Sequence, residues 1–308
     1  MYNGKKITAV VVTYNRLELV KKSIDCLRKQ TIKLDNILII NNGSTDGTTE
    51  WLNSQSDIQV ITQENVGGSG GFYTGIRTAH IANYDYIWCM DDDVFAQKNC
   101  LEQLLAHDSD TVGILCPTRI MNGEIVCGEV TSLNLTNPFK RLLGETIVAE
   151  KIDKEPFDIV GMAFEGPLIK KEVIDKIGYP QKEFFILFDD TEYSYRAVHA
   201  GYRVLYVPLA ILDKHDFFKN TNKLSRFEEF KKNTWKLKYC LRNTTYICKK
   251  YGKNYIFRNF GSLRLYIRTF FVIIYNIIRY RNKGYTFNDL KTMFVMYKKG
   301  INGELGKM

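Results

Sequence analysis

The stretch from Tyr84 to Val94, YDYIWCMDDDV, constrains this 308-residue chain more than any other. An apolar, aromatic run of strand length ends in three consecutive carboxylates, Asp91, Asp92 and Asp93. In a strand the first and third of these project to the same side, so two carboxylates line up. Like charges that close repel unless a cation or a proton neutralises them, and a divalent metal holding an anionic ligand meets that demand. The bland alternative is a solvated acidic turn.

A strand that delivers charge to one edge implies a sheet, and the preceding segments supply it. Lys6 to Val12, KITAVVV, is a β-branched run of buried-strand type, followed by Thr13-Tyr14-Asn15-Arg16 and a helical pattern through Leu17, Val20, Ile24 and Leu27. Asn36 to Ile40, NILII, reads as a second buried strand that ends in the acceptor-rich turn Asn41 to Gly47. Thr48 to Leu52 starts a second helix and Ile58 to Thr62 forms a third strand. Asn65 to Gly75, NVGGSGGFYTG, reads as a glycine-dense loop leading into a helix through Ile76, Ala79 and Ile81. Such glycines imply close backbone approach, either to a ligand or to a neighbouring strand. Parallel-type strands joined by helices bring their loops to the carboxyl edge of one sheet, where ligands bind. The loops lack GxGxxG and GxxxxGK, which removes support for the nucleotide-binding modes those glycines permit.

The chain is long enough for one large α/β domain with an appendage, and its 45% hydrophobic and 25% charged residues exclude a disordered, collagen-like or repeat protein. Seven cysteines without a CxxC pair, a polar Met1 to Lys6 and an apolar run too short for a signal peptide lead us to expect a reducing cytoplasm. Charge is uneven. From Lys214 to Met308 there are 22 Lys and Arg against 5 Asp and Glu, a net of +17, which leaves −8 for residues 1–213. A basic tail on an acidic body suits an anionic membrane surface or nucleic acid.

Leu101 to His107 reads as a helix, Thr111 to Pro117 as a strand, and Asn122 to Glu155 as a loop-rich insertion or hairpin. A second acidic cluster closes another apolar run in Phe184 to Ala197, FFILFDDTEYSYRA, where Asp189, Asp190 and Glu192 precede a helical pattern. Helix capping and the macrodipole explain at least one acid there. In the tail, Arg226 to Lys250 reads as a basic helix, and Thr269 to Ile278 is an arginine-flanked apolar stretch too short to span a bilayer. It would lie on a membrane as an interfacial helix or pack as a core helix on the catalytic domain.

The ordered set VVVTYNR, IINNGSTDGT, NVGGSGGFYTG and YIWCMDDDV resembles the nucleotide-sugar half of family 2 inverting glycosyltransferases, and is most similar to galactofuranosyltransferases and their rhamnosyltransferase relatives. The resemblance implies a single Rossmann-like α/β glycosyltransferase domain of the A type over residues 1–216. Its sheet would be mixed and mainly parallel, with a nucleotide-sugar half (1–120), an acceptor half (121–216) and a basic α-helical tail (217–308). Thr13, Tyr14 and Arg16 would line the nucleotide pocket, Asn42 would face uracil or thymine where many relatives carry an aspartate, and Asp46, Gly70 and Gly71 would adjoin. Asp91 and Asp93 match the metal-contacting carboxylates of the DxD motif, with Asp92 on sugar or ribose hydroxyls and Mg²⁺ or Mn²⁺ as the ion. His215 matches the histidine that completes the metal site in related enzymes. Phe164, Glu165 and Gly166, within DIVGMAFEGPLIK, would border the acceptor. Asp190 would be the general base, Glu192 would orient the acceptor or hold Asp190, and Asp189 would support them.

The implied activity is transfer of a sugar, first galactofuranose from UDP-galactofuranose and otherwise rhamnose from dTDP-rhamnose, to a lipid-linked or polysaccharide acceptor in cell-surface glycan synthesis such as that of O-antigen. The enzyme would be cytoplasmic, peripheral on the inner face of the membrane. Two other classes compete. A nucleic-acid-binding module would use the basic tail but gives no role to the acidic clusters, so no nucleic acid partner is expected. A catalytically dead sugar-nucleotide scaffold would have no need of the intact acidic motifs.

Overall fold

A computed structural model describes residues 2–145, 154–217, 226–280 and 285–308, with backbone alone over 226–233. Within the insertion expected over 122–155, residues 146–153 lie outside the described residues. The chain divides into two compact units. One comprises Met1–Ser132, Glu145–Lys182 and Asp189–Asp216, and the other Leu133–Gly144, Glu183–Phe188 and Phe217–Met308.

The first unit is built on a sheet. Its elements are β1 (Ile7–Thr13), α1 (Leu17–Arg28), β2 (Asn36–Asn41), α2 (Thr48–Asn53), β3 (Gln59–Thr62), α3 (Gly67–Ile81), β4 (Tyr86–Asp91), β5 (Val94–Ala96) and α4 (Cys100–Leu105). They continue as β6 (Val112–Met121), β7 (Glu124–Ile125), β8 (Phe157–Asp158), β9 (Leu168–Lys170), α5 (Lys171–Ile177), α6 (Asp189–His199) and β10 (Arg203–Lys214). Among the described residues the strand order is β3-β2-β1-β4-β9-β6-β10-β5, with β7 on β6 and β8 on β10. The β1, β2, β3 and β4 ladders are parallel, as is β6 with β10, while β9 and β5 run against their neighbours. The sheet is therefore mixed and mainly parallel, as the resemblance implied.

Strand alternation splits the core in two. Ala9, Val11, Ile37, Ile39, Trp88 and Met90 face α1, α2 and α4, whereas Val10, Val12, Leu38, Ile40, Ile87 and Cys89 face α3, α5 and α6. Each fully buried aliphatic side chain contributes about 1.5–3 kcal/mol, so both faces of β1 must stay apolar, which is why KITAVVV carries no polar alternation. The register pairs Val12 with Asp91 and Thr13 with Asn41, bringing three loops to one edge.

Two local expectations are corrected. The glycine-dense stretch is not a loop before a helix but the first turns of α3. A Cβ at Gly71 would stand 2.5 Å from Val12 Cγ1, and one at Gly75 would stand 2.2 Å from Val10 Cγ1. Glycine there lets the helix lie against β1, so close packing outweighs the poor helix propensity. The second correction concerns the aspartates: β4 ends at Asp91, and Asp92 and Asp93 form the turn into β5, so a turn rather than strand alternation sets their directions.

The second unit is helical, with α7 (Arg226–Tyr251), α8 (Tyr255–Phe260), α9 (Leu263–Tyr280) and α10 (Phe287–Asn302). Asn254 caps α8 by accepting from the Phe257 amide at 2.8 Å, and Thr286 with Asp289 forms a capping box on α10. Leu241, Ile273, Ile277, Tyr285 and Met293 form the core between α7, α9 and α10. The apolar stretch of α9 therefore packs on helices of its own unit along one stripe. Its other stripe, Ile267, Phe270, Phe271, Tyr275 and Ile278, is exposed, with Ile278 73% exposed. Helix α8 extends the apolar window beyond the short stretch seen in sequence: Tyr255–Tyr280 is long and apolar enough, by length and composition, to cross a membrane.

Candidate active site at the carboxyl edge of the sheet

The loop after β1 is fastened to the aspartate turn. Thr13 Oγ1 donates to Asp92 Oδ2 at 2.7 Å, and Arg16 Nη1 donates to Asp92 Oδ1 at 2.8 Å while lying 3.4 Å from Asp93 Oδ2. Both oxygens of Asp92 are thus engaged inside the fold. The same loop is tied to the turn after β2: the Asn15 amide donates to Ser44 Oγ at 2.9 Å and the Thr45 amide to Asn15 Oδ1 at 2.7 Å. Asp46 accepts from the amides of Leu17 and Thr48, each at 3.2 Å, at the starts of α1 and α2. Burial works against its carboxylate, yet the Thr48 and Leu17 donors hold it below its ordinary range. Asn42 is buried, giving its amide protons to Gly67 O at 2.9 Å and accepting from Gln63 Nε2 at 2.7 Å. Gly70 and Gly71 lie against Val66 and Val12, which ties them to the seating of α3. Tyr14 is 45% exposed, an open aromatic face at the edge.

The three aspartates have distinct environments. Asp91 is pushed well above the ordinary carboxylate range, first by burial and then by the charges of Asp93, Glu165 and Asp92, with Lys214 opposing. Asp92 is raised by burial, against which Arg16 and Thr13 act. Among the described residues, Asp93 Oδ1 is buried without a hydrogen-bond partner. A raised acid beside an orphaned carboxylate oxygen suits an oxygen-preferring divalent cation, which would discharge both penalties. Among the described residues no group of three or more His, Cys, Asp and Glu side chains stands ready to hold a metal. His215 reaches the turn through its backbone, donating its amide to Asp93 O at 2.9 Å.

A buried charge network that sequence reasoning missed adjoins the turn. Arg119, at the end of β6, donates through Nη2 to both oxygens of Glu129 at 2.7 and 2.8 Å and through Nη1 to Glu165 Oε2 at 2.7 Å. Lys214 Nζ donates to the same Glu165 oxygen at 2.6 Å. Burial alone would raise Glu165, but Arg119 and Lys214 hold it below its ordinary range. Glu165 is therefore an ionised, doubly paired carboxylate whose charge is felt by both Asp91 and Asp190. Its flanking residues belong to the packing. Phe164 is 4% exposed and stacks on Phe72 at 4.6 Å, while Gly166 has φ +100° and its carbonyl accepts from Trp88 Nε1 at 2.9 Å. No signal in a single sequence pairs Arg119 with Glu129 and Glu165, since the partners lie 10 and 46 residues away.

Helix α6 begins with the second acidic cluster. Asp190 is pushed up to about 8, by burial first and then by Asp189 and Glu165, while the Thr191 amide donates to its Oδ1 at 2.6 Å. Asp189 is pushed up to about 6 by burial, with the backbone amides at the start of α6 working against it. Glu192 is buried and accepts from Arg196 Nε at 3.0 Å, one turn along. Arg196 Nη2 in turn donates to Tyr179 O at 2.9 Å, so Glu192 is locked into the helix wall. A cavity of about 230 Å³ lined by Lys5, Asp85, Tyr86 and Lys170 lies at the amino ends of β1 and β4, the opposite edge of the sheet.

The sequence profile described as "Glycosyl transferase family 2" matches residues 8–178, more than half of the chain. The chain belongs to glycosyl transferase family 2. It is 28% identical over 213 residues to the galactofuranosyltransferase GlfT1 of Mycolicibacterium smegmatis, covering 65% of this chain and 68% of that protein. It is 25% identical over 212 residues to the poly-beta-1,6-N-acetyl-D-glucosamine synthase of Staphylococcus aureus, of which it spans 48%. In fold it is similar to GalNAc-T7, solved with UDP, GalNAc and Mn²⁺, with a TM-score of 0.62, 14% identity and coverage of 98% of this chain and 57% of that one. The mannosyltransferase PcManGT of Pyrobaculum calidifontis, solved with GDP-Man and Mn²⁺, gives a TM-score of 0.52 at 14% identity, covering 98% of this chain and 76% of that one. The protein is a family 2 glycosyltransferase with an A-type fold and further C-terminal helices.

Proposed function

We propose that this glycosyltransferase moves galactofuranose from UDP-galactofuranose onto a glycan or lipid-linked acceptor, with inversion at the anomeric carbon and with Mn²⁺ or Mg²⁺ as cofactor. The observation that carries the reading is the aspartate turn, where Asp91 is pushed up by burial and by its acidic neighbours and Asp93 Oδ1 is buried without a partner among the described residues. Asp91 and Asp93 would hold the ion together with donor oxygens, and His215, joined to Asp93 through its backbone, is the third proposed ligand. The ion, when bound, stabilises the charge that develops on the departing nucleoside diphosphate. Arg16, already oriented by Asp92, adds a cation at the same edge, and Tyr14 offers a ring for the base.

Asp190 takes the proton of the acceptor hydroxyl as its oxygen bonds to the anomeric carbon and the bond from that carbon to the phosphate oxygen breaks. Its raised affinity for a proton suits a base that must accept one near neutral pH. Glu192 and Asp189 support it from the same helix turn. Likeness to GlfT1 supports galactofuranose as the sugar.

Membrane attachment through the second unit completes the proposal. Exposed Tyr255, Ile256, Phe260, Phe271, Tyr275, Ile278, Phe287 and Phe294 run along α8, α9 and α10, interspersed with exposed Arg258, Arg264, Arg268, Arg279, Lys291 and Lys298. Aromatic and aliphatic side chains edged by cations suit an anionic leaflet, and Arg264 and Arg268 within α9 favour lying in the interface over crossing it.

The test is a panel of UDP- and dTDP-sugars with Mn²⁺, following release of nucleoside diphosphate. Turnover with UDP-galactofuranose, lost in Asp91→Asn and lowered about 10²- to 10⁴-fold in Asp190→Asn, is expected. Unchanged turnover in both variants refutes the mechanism, and turnover with dTDP-rhamnose alone refutes the sugar.

A further inference from the structure

The loop Leu133–Gly144 belongs to the helical unit, and its tip presents Phe139 to solvent at 84% exposure, the highest value among the described large hydrophobic side chains. Exposed loop tips ordinarily carry small or polar residues. Here Phe139 is followed by Lys140 and Arg141, both exposed.

The tip is braced from within. Leu133 and Leu143 form an antiparallel bridge, the Asn134 amide donates to Leu142 O at 2.8 Å, and Leu135 and Leu142 are buried. Asn134 Oδ1 accepts from the amides of Thr136 and Asn137 at 3.4 and 3.0 Å, while its Nδ2 donates to Asn137 O at 2.7 Å and Arg141 O at 3.2 Å. Asn137 Oδ1 accepts from the Phe139 amide at 2.9 Å, and Asn137 O accepts from the Lys140 amide at 3.2 Å. Pro138 has no N–H to satisfy. Every backbone N–H from Thr136 to Lys140 is therefore bonded within the loop. At an exposed tip water would serve those groups, so their internal pairing matters most where water is absent, as in a bilayer.

The base of the loop is fastened to the start of α8. The Lys253 amide donates to Leu135 O at 2.8 Å, and Asn254, the residue that caps α8, donates through Nδ2 to Thr136 O at 2.9 Å. Tyr255 and Ile256 follow at 78% and 58% exposure. Three residues of extended chain span at most about 11 Å, so Phe139 lies no further than that from Thr136, and loop tip and helix start share one region of the unit's surface. Residues 133–144 hold two Lys and Arg, residues 246–280 hold seven, and neither stretch contains an Asp or Glu. A cationic surface without counter-charge that exposes isoleucine as well as aromatic rings fits anionic headgroups above acyl chains, whereas a nucleic-acid groove relies on rings and cations.

We propose that residues 134–141 form a membrane finger: Phe139 inserts into an anionic leaflet while Lys140 and Arg141 sit on its headgroups. The finger adds a loop contact to the surface of α8, α9 and α10, and it rests on the reading that the helical unit attaches to a membrane.

The experiment is sedimentation of the full chain with vesicles of equimolar phosphatidylcholine and phosphatidylglycerol, for wild type, Phe139→Ser, and Lys140→Ala with Arg141→Ala. Phe139→Ser should weaken binding about 10- to 100-fold, as expected for one buried ring. The double cation variant should weaken it about 30-fold, at about fivefold per charge. Phe139→Trp in vesicles whose acyl chains are brominated reads insertion directly, since its fluorescence should be quenched beyond the wild-type signal of Trp51, Trp88 and Trp235. That readout stands even where Phe139→Ser lowers thermal stability. Wild-type affinity in Phe139→Ser and no added quenching in Phe139→Trp, with wild type sedimenting on the vesicles, overturns the finger alone. Wild type that stays in solution beside these vesicles, or that binds single-stranded RNA in their place, overturns the attachment reading on which the finger rests.

Discussion

Replacing Gly75 by alanine tests whether the glycines of α3 serve packing. The added Cβ would stand 2.2 Å from Val10 Cγ1 and 3.2 Å from Ile40 Cγ1. Carbon contacts are optimal at roughly 3.5–4.0 Å, so helix and strand must part by more than about 1 Å or Val10 must leave its rotamer. Overpacking of this kind costs about 1–3 kcal/mol, and alanine in place of glycine within a helix returns up to about 1 kcal/mol. The net expectation is a loss of about 1–2 kcal/mol in urea unfolding with an unchanged m value. Val10→Ala alone removes two buried methyl groups, worth about 1.6 kcal/mol before the cavity is counted. In the double variant the new methyl fills the space that Val10 vacated, so the two losses should fall short of additive by about 1–3 kcal/mol. Losses that add within about 0.5 kcal/mol would refute the packing account. The same account predicts unchanged donor KM in the double variant, whereas a glycine that cradles the donor would raise it.

Donor turnover should rise with pH up to about 8, because Asp190 must lose its proton to act and burial beside Asp189 and Glu165 holds that proton. The same raised value means that the stability Asp190 contributes is complete in acid and is lost as pH rises through about 8, so Asp190→Asn should flatten this part of the pH dependence of unfolding. A pH–rate limb centred near the ordinary carboxylate value would sink both statements. Arg119→Met would leave Glu129 and Glu165 buried without their shared cation and should cost about 3–5 kcal/mol, against less than 1 kcal/mol if the network is incidental. Thermal unfolding distinguishes these outcomes, since each kcal/mol moves Tm by roughly 2–4 °C in a domain of this order of size.

The legible parts of the site were those in which one short segment carries both the fold signal and the chemistry. An apolar run ending in charge, as in Tyr84 to Asp93, states its own place at a strand end, because burial of the run forces the acids to the rim. The acids of α6 were legible for another reason, as carboxylates in the first turn of a helix, while the apolar run before them forms a turn and not a strand. The individual roles were less so. Asp46 and Asn42 have the residue types of ligand contacts, yet Asp46 bonds to the amides that start α1 and α2, and the Asn42 amide bonds to Gly67 and Gln63. Phe164 was an acceptor candidate by position, but its stacking on Phe72 makes it part of the core.

By itself the sequence determined the order of strands and helices, the location of the acidic clusters and the basic character of the tail, because these follow from local periodicity and composition. Only the tertiary structure decided which charges neutralise which. Arg119 finds Glu129 and Glu165, Arg16 finds Asp92, and Arg242 finds a set of carbonyls, each across a separation that no periodicity encodes. It also decided what glycine and backbone strain mean, turning NVGGSGG into the start of a closely packed helix and FFILF into a left-handed turn. The physical reason is common to both. Pairing energies and steric limits depend on distance in space, whereas the sequence records only distance along the chain.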